Sequence, residues 1–449
     1  MWERFSYYGM RALLVLYLVS AATKGGLGWT SESASHLYGW YTALVYITPL
    51  IGGYLADRFL GTNRSMILGG LIIAAGHFTL AVPTIHTFYL GLLLIIIGTG
   101  FFKPTVSTMV GQLYSEGDPR RDSGFTIFYM GINLGALIGT LICGYLGESA
   151  DWGWHYGFGA AGVGMVLGLL VYSYLRPRYL KGIGDAPTAQ EKVARTAAKQ
   201  PLTAVEKRRV LAILILSVFV IFFWYAFEQA GSSMNLFALN NTQRQLWSFE
   251  IPASWFQSIN AAMILLAGPV FASLWIRLAK RGREPSSPTK MAFGLFLLGA
   301  GFVFMVIGAL HTKNGQLVSP FWLAMAYTFH TFGELCLSPV GLSLVTKLAP
   351  TQFASLLMGA WFTANFAANL IAGYTAGAMD KVAKGAYFTV FGGLADFYLI
   401  FVVTSAAAGT LLLLLTPALK KLIDDEPDHA AKGVVNRLGE LETEATTTV

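Results

Sequence analysis

Charge is what this sequence has least of. Asp, Glu, Lys and Arg make up 12% of its 449 residues, whereas 55% are hydrophobic, and a soluble domain has about 25% charged residues. An ordinary soluble protein is therefore excluded, and the composition indicates a polytopic membrane protein whose first partner is the lipid bilayer. The net charge of +7 does not predict nucleic-acid binding, because the basic residues collect in loops on one side of the predicted membrane.

Cysteine and catalytic motifs are scarce as well. Cys143 and Cys336 both lie in apolar runs, so we expect packing residues and no disulfide framework. There is no metal-ligand cluster and no Gly-x-Ser-x-Gly setting for a nucleophile, so neither an enzyme nor a metal site is expected. The first apolar run is charged and no small-residue cleavage site follows it, so no cleavable signal peptide is predicted.

Long apolar runs are abundant, and their lengths predict twelve transmembrane helices. The predicted spans are 3–22, 35–57, 65–84, 87–112, 123–147, 155–175, 209–236, 253–279, 290–311, 320–348, 353–379 and 390–416.

A polar stretch, 176–208, divides the spans into six plus six. We therefore expect an N-terminal six-helix bundle (1–175), a polar linker (176–208), a C-terminal bundle (209–419) and a polar, disordered tail (420–449). Two six-helix halves joined by such a linker are the layout of the major facilitator fold. The predicted class is an all-α polytopic membrane protein of that fold.

The orientation follows from the basic residues. Of the 31 Lys and Arg residues, 23 lie on the side of the linker, five in the opposite loops and three within spans. By the positive-inside rule, both termini and the linker are predicted to be cytoplasmic.

The first span carries charges. Glu3, Arg4 and Arg11 lie in it, and at 3.6 residues per turn Arg4, Tyr8 and Arg11 share a face, with Glu3 and Tyr7 beside it. One interpretation is an interfacial anchor with its charges at the membrane surface. The other is a functional stripe, which Arg11 favours because it lies two turns deeper than Arg4.

Three further ionisable residues lie within spans: Lys103, followed by Pro104, then Glu228, and Glu334 near a proline bend. Leaving six such charges unpaired would cost roughly 15–20 kcal/mol. They must pair or be solvated, which predicts a shared central cavity with most bases in the first half and two carboxylates in the second. Trp224, Glu228 and Ser232 are predicted to share a face, as are His330, Glu334 and Ser338. His77 is predicted to be a packing residue.

The end of the second span, residues 53–58, reads GYLADR. It is similar to the cytoplasmic gate motif of major facilitator transporters, in which Asp57 would hold a neighbouring helix. A charged turn that obeys the positive-inside rule explains Arg58 equally well but not Asp57, and both interpretations stay open.

The whole set of motifs resembles one family, the proton-coupled oligopeptide transporters. Residues 3–9, ERFSYYG, are similar to its first-helix signature, E-x-x-E-R-F-x-Y-Y-G, and residues 128–135, 153–158 and 333–339 resemble further family segments. The similarity covers the chain from Trp2 to about Lys420.

The resemblance implies roles for individual residues. Arg11 would bind the peptide carboxylate and Glu334 the amino group, while Lys103 would pair with Glu334 or with the first-helix carboxylates. Glu228 would pair to Arg11 or exchange a proton with it. Tyr8, Tyr46, Asn133 and Asn260 would contact the peptide backbone, and Trp224 and Trp361 would wall the side-chain pockets. Proton coupling would rest on Glu3, Arg4, Lys103, Glu228 and Glu334, and gating on Asp57 and Arg58.

Four departures from the family pattern qualify this. The first acid of the signature would precede Met1, so we expect the printed chain to be cut short at its start. Gly39 stands where animal relatives carry histidine, which argues against a histidine proton site. Asn260 lacks the proline that often follows it. The linker is too polar for the two extra helices of many bacterial relatives, so twelve helices are expected.

The expected function is therefore proton-driven import of di- and tripeptides by alternating access across the plasma (inner) membrane. The coupling ion is the proton, no cofactor is expected, and the chain would work as a monomer. An alternative keeps the mechanism and changes the cargo to nitrate, an amino-acid conjugate or a drug.

Overall fold

The structure is a computed structural model that describes residues 1–114, 118, 120–185, 202–312, 315–348 and 354–423. Residues 186–201 of the polar linker and the tail beyond 423 lie outside the described residues. The expected disorder of that tail therefore stays a prediction, as do the four domain boundaries.

Twelve long helices and two short ones make up nearly all of this part of the chain. In chain order they are α1 (Trp2–Val19), α2 (Ser31–Leu55), α3 (Thr62–Leu80), α4 (Ile85–Gln112), α5 (Arg121–Glu148), α6 (Trp154–Tyr179), α7 (Ala204–Phe227), α8 (Ser233–Asn241), α9 (Ser258–Lys280), α10 (Ser287–His311), α11 (Phe321–Leu348), α12 (Ala354–Gly377), α13 (Met379–Ala383) and α14 (Leu394–Ile423). A two-stranded hairpin, β1 (Gln245–Leu246) with β2 (Phe249–Glu250), follows α8.

The helices match the predicted spans within a few residues at most ends. They are long because apolar residues run through them and a helix satisfies its own backbone in lipid, where internal prolines such as Pro104 of α4 and Pro339 of α11 are tolerated. Seven pass a length-and-hydropathy criterion for a membrane span by themselves. The chain is thus a multi-pass membrane protein.

Small residues let the helices of the first half approach closely. On α1, a Cβ added at Gly9 would lie 2.6 Å from Sγ of Cys143 on α5. Between α3 and α4, a Cβ added at Gly98 would lie 2.7 Å from the carbonyl oxygen of Gly69. Such close backbone contact is how helices associate in lipid, where the hydrophobic effect between them is weak.

The seventh predicted span is not one continuous helix. Between α7 and α8 the chain tightens into a 3-10 turn, Glu228–Gly231, and Ser232 takes non-helical angles (φ −125°, ψ −94°). The prediction that Trp224, Glu228 and Ser232 share a helix face is therefore wrong. At the break the chain lies against Tyr38 of α2, since a Cβ added at Gly231 would overlap the hydroxyl oxygen of Tyr38.

We call the end of the bundle where α1 begins and α6 stops the linker end, and the opposite end the far end. At the far end, α2 and α12 cross with only backbone between them: a Cβ at Gly39 would lie 2.7 Å from Cα of Gly373. Near the linker end the same two helices meet through an apolar contact between Leu50 and Gly359. The halves therefore touch along α2 and α12.

Candidate functional site

The centre of the site is an ion pair between the two halves. The guanidinium of Arg11 on α1 donates to the carboxylate of Glu228 in the 3-10 turn, and its Nε donates to the hydroxyl of Tyr38 on α2. Arg11 and Glu228 are 6% and 2% exposed. This burial rules out the interfacial-anchor interpretation for Arg11, and the expected pairing of Glu228 with Arg11 is present.

Aromatic rings surround the guanidinium. The Cζ atom of Arg11 lies 5.6–6.0 Å from the ring centroids of Tyr7, Tyr8 and Tyr38. Rings at this range attract a cation electrostatically, and Tyr7 meets Tyr8 edge to face at 5.2 Å. The rings thereby restrict the orientation of the guanidinium plane.

Two helical turns toward the linker end, Glu3 and Arg4 form a second ion pair, with 3.1 Å between Oε2 and Nε. Lys103 on α4 behaves differently from the expectation. Its ammonium lies 3.6 Å from the ring centroid of Tyr46 on α2 and makes no ion pair within the described part of the chain. An aromatic face stabilises a cation without a carboxylate beside it. This contact accounts for the lack of an acid partner for Lys103 among the described residues.

Glu334 on α11 has its polar contacts within the second half, apart from the pair of Arg11 and Glu228. The Nδ2 of Asn260 on α9 donates to Oε2 of Glu334 at 2.8 Å and also lies 3.0 Å from Oγ1 of Thr331. Glu334 is 9% exposed and has no basic partner within 4 Å among the described residues. Asn260, in doubt because it lacks a following proline, is its direct hydrogen-bond partner.

The remaining predicted substrate residues lie on three different helices. Trp224 on α7 stands edge-on to Phe223 and Phe227. Trp361 on α12 is buried, and a Cβ at Gly341 of α11 would lie 2.6 Å from its ring. Asn133 on α5 uses its Nδ2 on the Tyr129 carbonyl of its own helix, at 3.0 Å. Their roles toward a peptide stay predictions.

Two histidines are buried in packing. His330 stacks on Phe302, with 4.4 Å between ring centroids, and His77 is fully buried in α3. Neither has a hydrogen-bond partner for its ring nitrogens among the described residues. His77 is thus buried in packing, as predicted, but the expectation that its ring nitrogens are hydrogen-bonded is not met among the described residues.

The proposed gate motif ends α2. Asp57 and Arg58 lie in a wider helical turn, Ala56–Leu60, and Arg58 donates to the hydroxyl of Tyr54 at 2.7 Å. These contacts leave both interpretations of the motif open, and the gating role stays a prediction.

Three residues that make polar contacts at the site or between the halves were not singled out from the sequence. Tyr38 binds Arg11, Asn235 on α8 donates to the carbonyl oxygen of Ala12 on α1 at 2.8 Å, and Glu148 at the end of α5 binds the backbone of the second half. Tyr38 is one of 20 tyrosines, and nothing in the sequence distinguishes it. Glu148 is the more detectable, because it is an acid at the end of an otherwise apolar span.

An all-helical membrane protein whose two halves meet on a buried ion pair has the layout of a membrane transporter of the major facilitator fold. Comparison with known proteins narrows this class. The model of the POT family (PTR2) matches residues 63–200 and 186–390, and the chain belongs to this family.

Among the relatives, the peptide transporter YePEPT of Yersinia enterocolitica subsp. palearctica serotype O:3 (strain YE-P4) is 39% identical over 438 residues, covering 84% of this chain and 85% of the relative. The di-/tripeptide transporter of Lactococcus lactis subsp. cremoris is 36% identical over 423 residues, covering 81% and 84%. A crystal structure of a POT peptide transporter with sulfate superposes with a TM-score of 0.83 at 36% identity, covering 94% of this chain and 93% of that one.

Proposed function

We propose that the protein is a proton-driven symporter that imports di- and tripeptides by alternating access. Arg11 binds the peptide carboxylate and Glu334 binds its amino terminus. The observation that carries the proposal is the contrast between two buried carboxylates. Glu228 has a guanidinium partner, whereas Glu334 has only the amide of Asn260 within the described residues.

The difference between these two carboxylates fits a zwitterionic ligand, which carries one negative and one positive group. A guanidinium binds a carboxylate through two parallel hydrogen bonds, and a buried carboxylate without a base gains most from a ligand that brings an ammonium group. Arg11 lies in the first half and Glu334 in the second. A peptide held at both ends therefore connects the two halves.

Coupling follows from competition at Arg11. An arriving peptide carboxylate displaces Glu228 from the guanidinium, and the displaced acid then takes up a proton because a buried, unpaired carboxylate is costly. When the peptide leaves, Glu228 returns to Arg11 and releases the proton. One proton thus moves with the peptide at this site, whereas Glu3 and Arg4 form a neighbouring pair that completes the proton-responsive set.

The relatives that are named peptide and di-/tripeptide transporters support this cargo. Nitrate, which carries no positive group, is disfavoured because Glu334 would repel it. An amino-acid conjugate or a zwitterionic drug stays the second candidate, since it presents the same two charges. Competition between such compounds and di-alanine for uptake separates these cargoes.

The bias of Lys and Arg toward the linker end supports an inner-membrane protein with both termini in the cytoplasm. Substrate would then approach from the far end and leave at the linker end. The proton is the coupling ion, and a single chain contains both halves of the proposed site.

The test is uptake of di-alanine into proteoliposomes with and without an inward proton gradient. We expect accumulation only with the gradient, and we expect Glu228→Gln to abolish accumulation while counterflow of peptide persists. Glu250→Gln, which alters an exposed acid of the far-end hairpin, is the matched control. Driven uptake by Glu228→Gln at the wild-type rate would show that coupling lies elsewhere.

A further inference from the structure

Glu148, at the last turn of α5, lies outside the charge cluster described above. Its Oε2 accepts from the backbone N–H of Ala253 at 2.7 Å, and its Oε1 accepts from the N–H and the hydroxyl of Ser254 at 2.9 and 2.5 Å. Ala253 and Ser254 are fully buried. They begin the turn Ala253–Gln257 that leads into α9 of the second half.

The first N–H groups of a helical segment have no partner within it and need a capping acceptor. In most helices the residue just before the helix provides that acceptor. Here the preceding residue is Pro252, whose side chain offers none, and no side-chain cap is present at this turn. The carboxylate of the other half supplies it instead, with its negative charge at the favourable end of the segment.

The contact sits at a corner where the two halves are pressed together. A Cβ added at Gly144, one turn before Glu148, would lie 2.3 Å from Oγ of Ser254. The indole N–H of Trp255 donates to the carbonyl of Leu141 at 2.9 Å. We call Glu148, Ala253 and Ser254 the far-end latch.

We propose that the far-end latch holds the two halves closed at this end of the protein, and that Glu148 is the residue that sets the balance between far-end-closed and far-end-open states. Rocking of one half against the other must separate α5 from α9, and that motion breaks all three hydrogen bonds together. The open state then leaves two backbone donors to be satisfied by water.

Because hydrogen bonds to a charged group are roughly twice as strong as neutral ones, removing the carboxylate shifts the closed-to-open ratio about tenfold to a hundredfold toward open. Glu148→Gln keeps one acceptor oxygen and shifts it less than Glu148→Ala. Ser254→Ala removes one of the three bonds and shifts it least.

The measurement is the distance between spin labels at Thr23 in the first half and Lys384 in the second, both exposed at the far end. The native cysteines are buried and stay unlabelled. Asp151→Asn is the matched control, since it removes one negative charge three residues from Glu148 and has no described contact with the second half.

We expect a longer-distance component that grows in the order Ser254→Ala, Glu148→Gln, Glu148→Ala, with Asp151→Asn unchanged from wild type. If Glu148→Ala does not yield folded protein, Gly144→Ala opens the corner by steric contact and is expected to lengthen the same distance. Distributions that match wild type in the folded Glu148 and Gly144 variants would overturn the proposal. The readout needs no substrate or proton gradient, so it is independent of the cargo and the coupling proposed above.

Discussion

Two buried carboxylates of the second half, Glu228 and Glu334, differ in what neutralises them. Glu228 reaches across to the guanidinium of Arg11 in the first half. Glu334 stays within its own half and accepts from an amide. Glu228 has a charged partner, and losing that partner would lower the stability of the protein. Glu334 has a neutral partner, which orients the carboxylate but does not neutralise its charge. The two acids therefore differ in whether their partner among the described residues carries a charge.

Removing Arg11, the charged partner of Glu228, is expected to have the largest effect, and the effect is on the stability of the protein. Arg11→Leu strands Glu228 in a buried setting, and breaking such a pair costs about 3–5 kcal/mol. The melting temperature of the purified protein in detergent should fall clearly.

Arg11→Leu combined with Glu228→Leu serves as the control and should recover most of that loss, because no lone charge remains. Glu334→Leu should leave the melting temperature unchanged or raise it, since no counter-charge is lost. Equal destabilisation by Arg11→Leu and Glu334→Leu would remove the distinction between the two acids.

The next largest effect is expected from blocking the two ends of the peptide, which tests Arg11 and Glu334 separately. Each charge-assisted hydrogen bond is worth roughly 1.5–3 kcal/mol, so amidating the C-terminus of Ala-Ala should weaken binding about tenfold to a hundredfold. The same peptide should show little further loss against Arg11→Ala, measured by competition for uptake.

An acetylated N-terminus should behave in the same way toward Glu334→Ala. Arg11→Lys should also be damaging, because an ammonium cannot reproduce the planar fork. A full amidation penalty in Arg11→Ala would place the carboxylate elsewhere.

Asn260→Ala is expected to have an intermediate effect. It removes a neutral-donor hydrogen bond to Glu334, so discrimination against N-acetylated peptide should shrink about threefold to tenfold. Discrimination against amidated peptide should be unchanged, so the amidated peptide serves as the internal control for this variant. A loss that is equal at both peptide ends would mean that Asn260 supports the fold and not the orientation of Glu334.

The smallest effect is expected from a surface pair between the halves. Lys381 and Glu32 approach to 2.7 Å, and the carboxylate raises the pKa of Lys381. The pair therefore persists as the pH rises through the ordinary range and weakens only when the lysine loses its proton. Exposed pairs contribute little, so uptake by Lys381→Ala should equal wild type. A marked loss would show that the far end depends on surface charge as well as on buried contacts.

The sequence predicted which charges would be in the membrane but not all of their partners. The charges alone required only that each be paired or solvated, and it was the family resemblance that implied pairing of Glu228 with Arg11, which is present. The resemblance also implied an acid partner for Lys103, yet the ammonium of Lys103 lies on the ring of Tyr46. Charge signs limit the partners of a buried cation to acids, ring faces and carbonyls, and only the packing of α2 against α4 selects among them.

The helices were predictable because apolar length alone determines a membrane span. The break at Glu228–Gly231 was not, since apolar residues continue on both sides of it. The residue that lies against the break is 190 or more positions away: the hydroxyl of Tyr38 occupies the space beside Gly231. Contacts between halves leave no periodic signal in either half, which is why the latch at Glu148 was also missed.

The crossing of α2 and α12 at Gly39 and Gly373 has an evolutionary consequence. Neither position can acquire a side chain by itself while the far end is closed, because the new Cβ would overlap the opposite backbone. A change at one site would first have to widen the crossing, and the partner glycine would then be released from constraint. The two halves of this transporter therefore cannot drift independently: their glycines are expected to be kept or lost as a pair, and histidine at position 39 would require a crossing of different width.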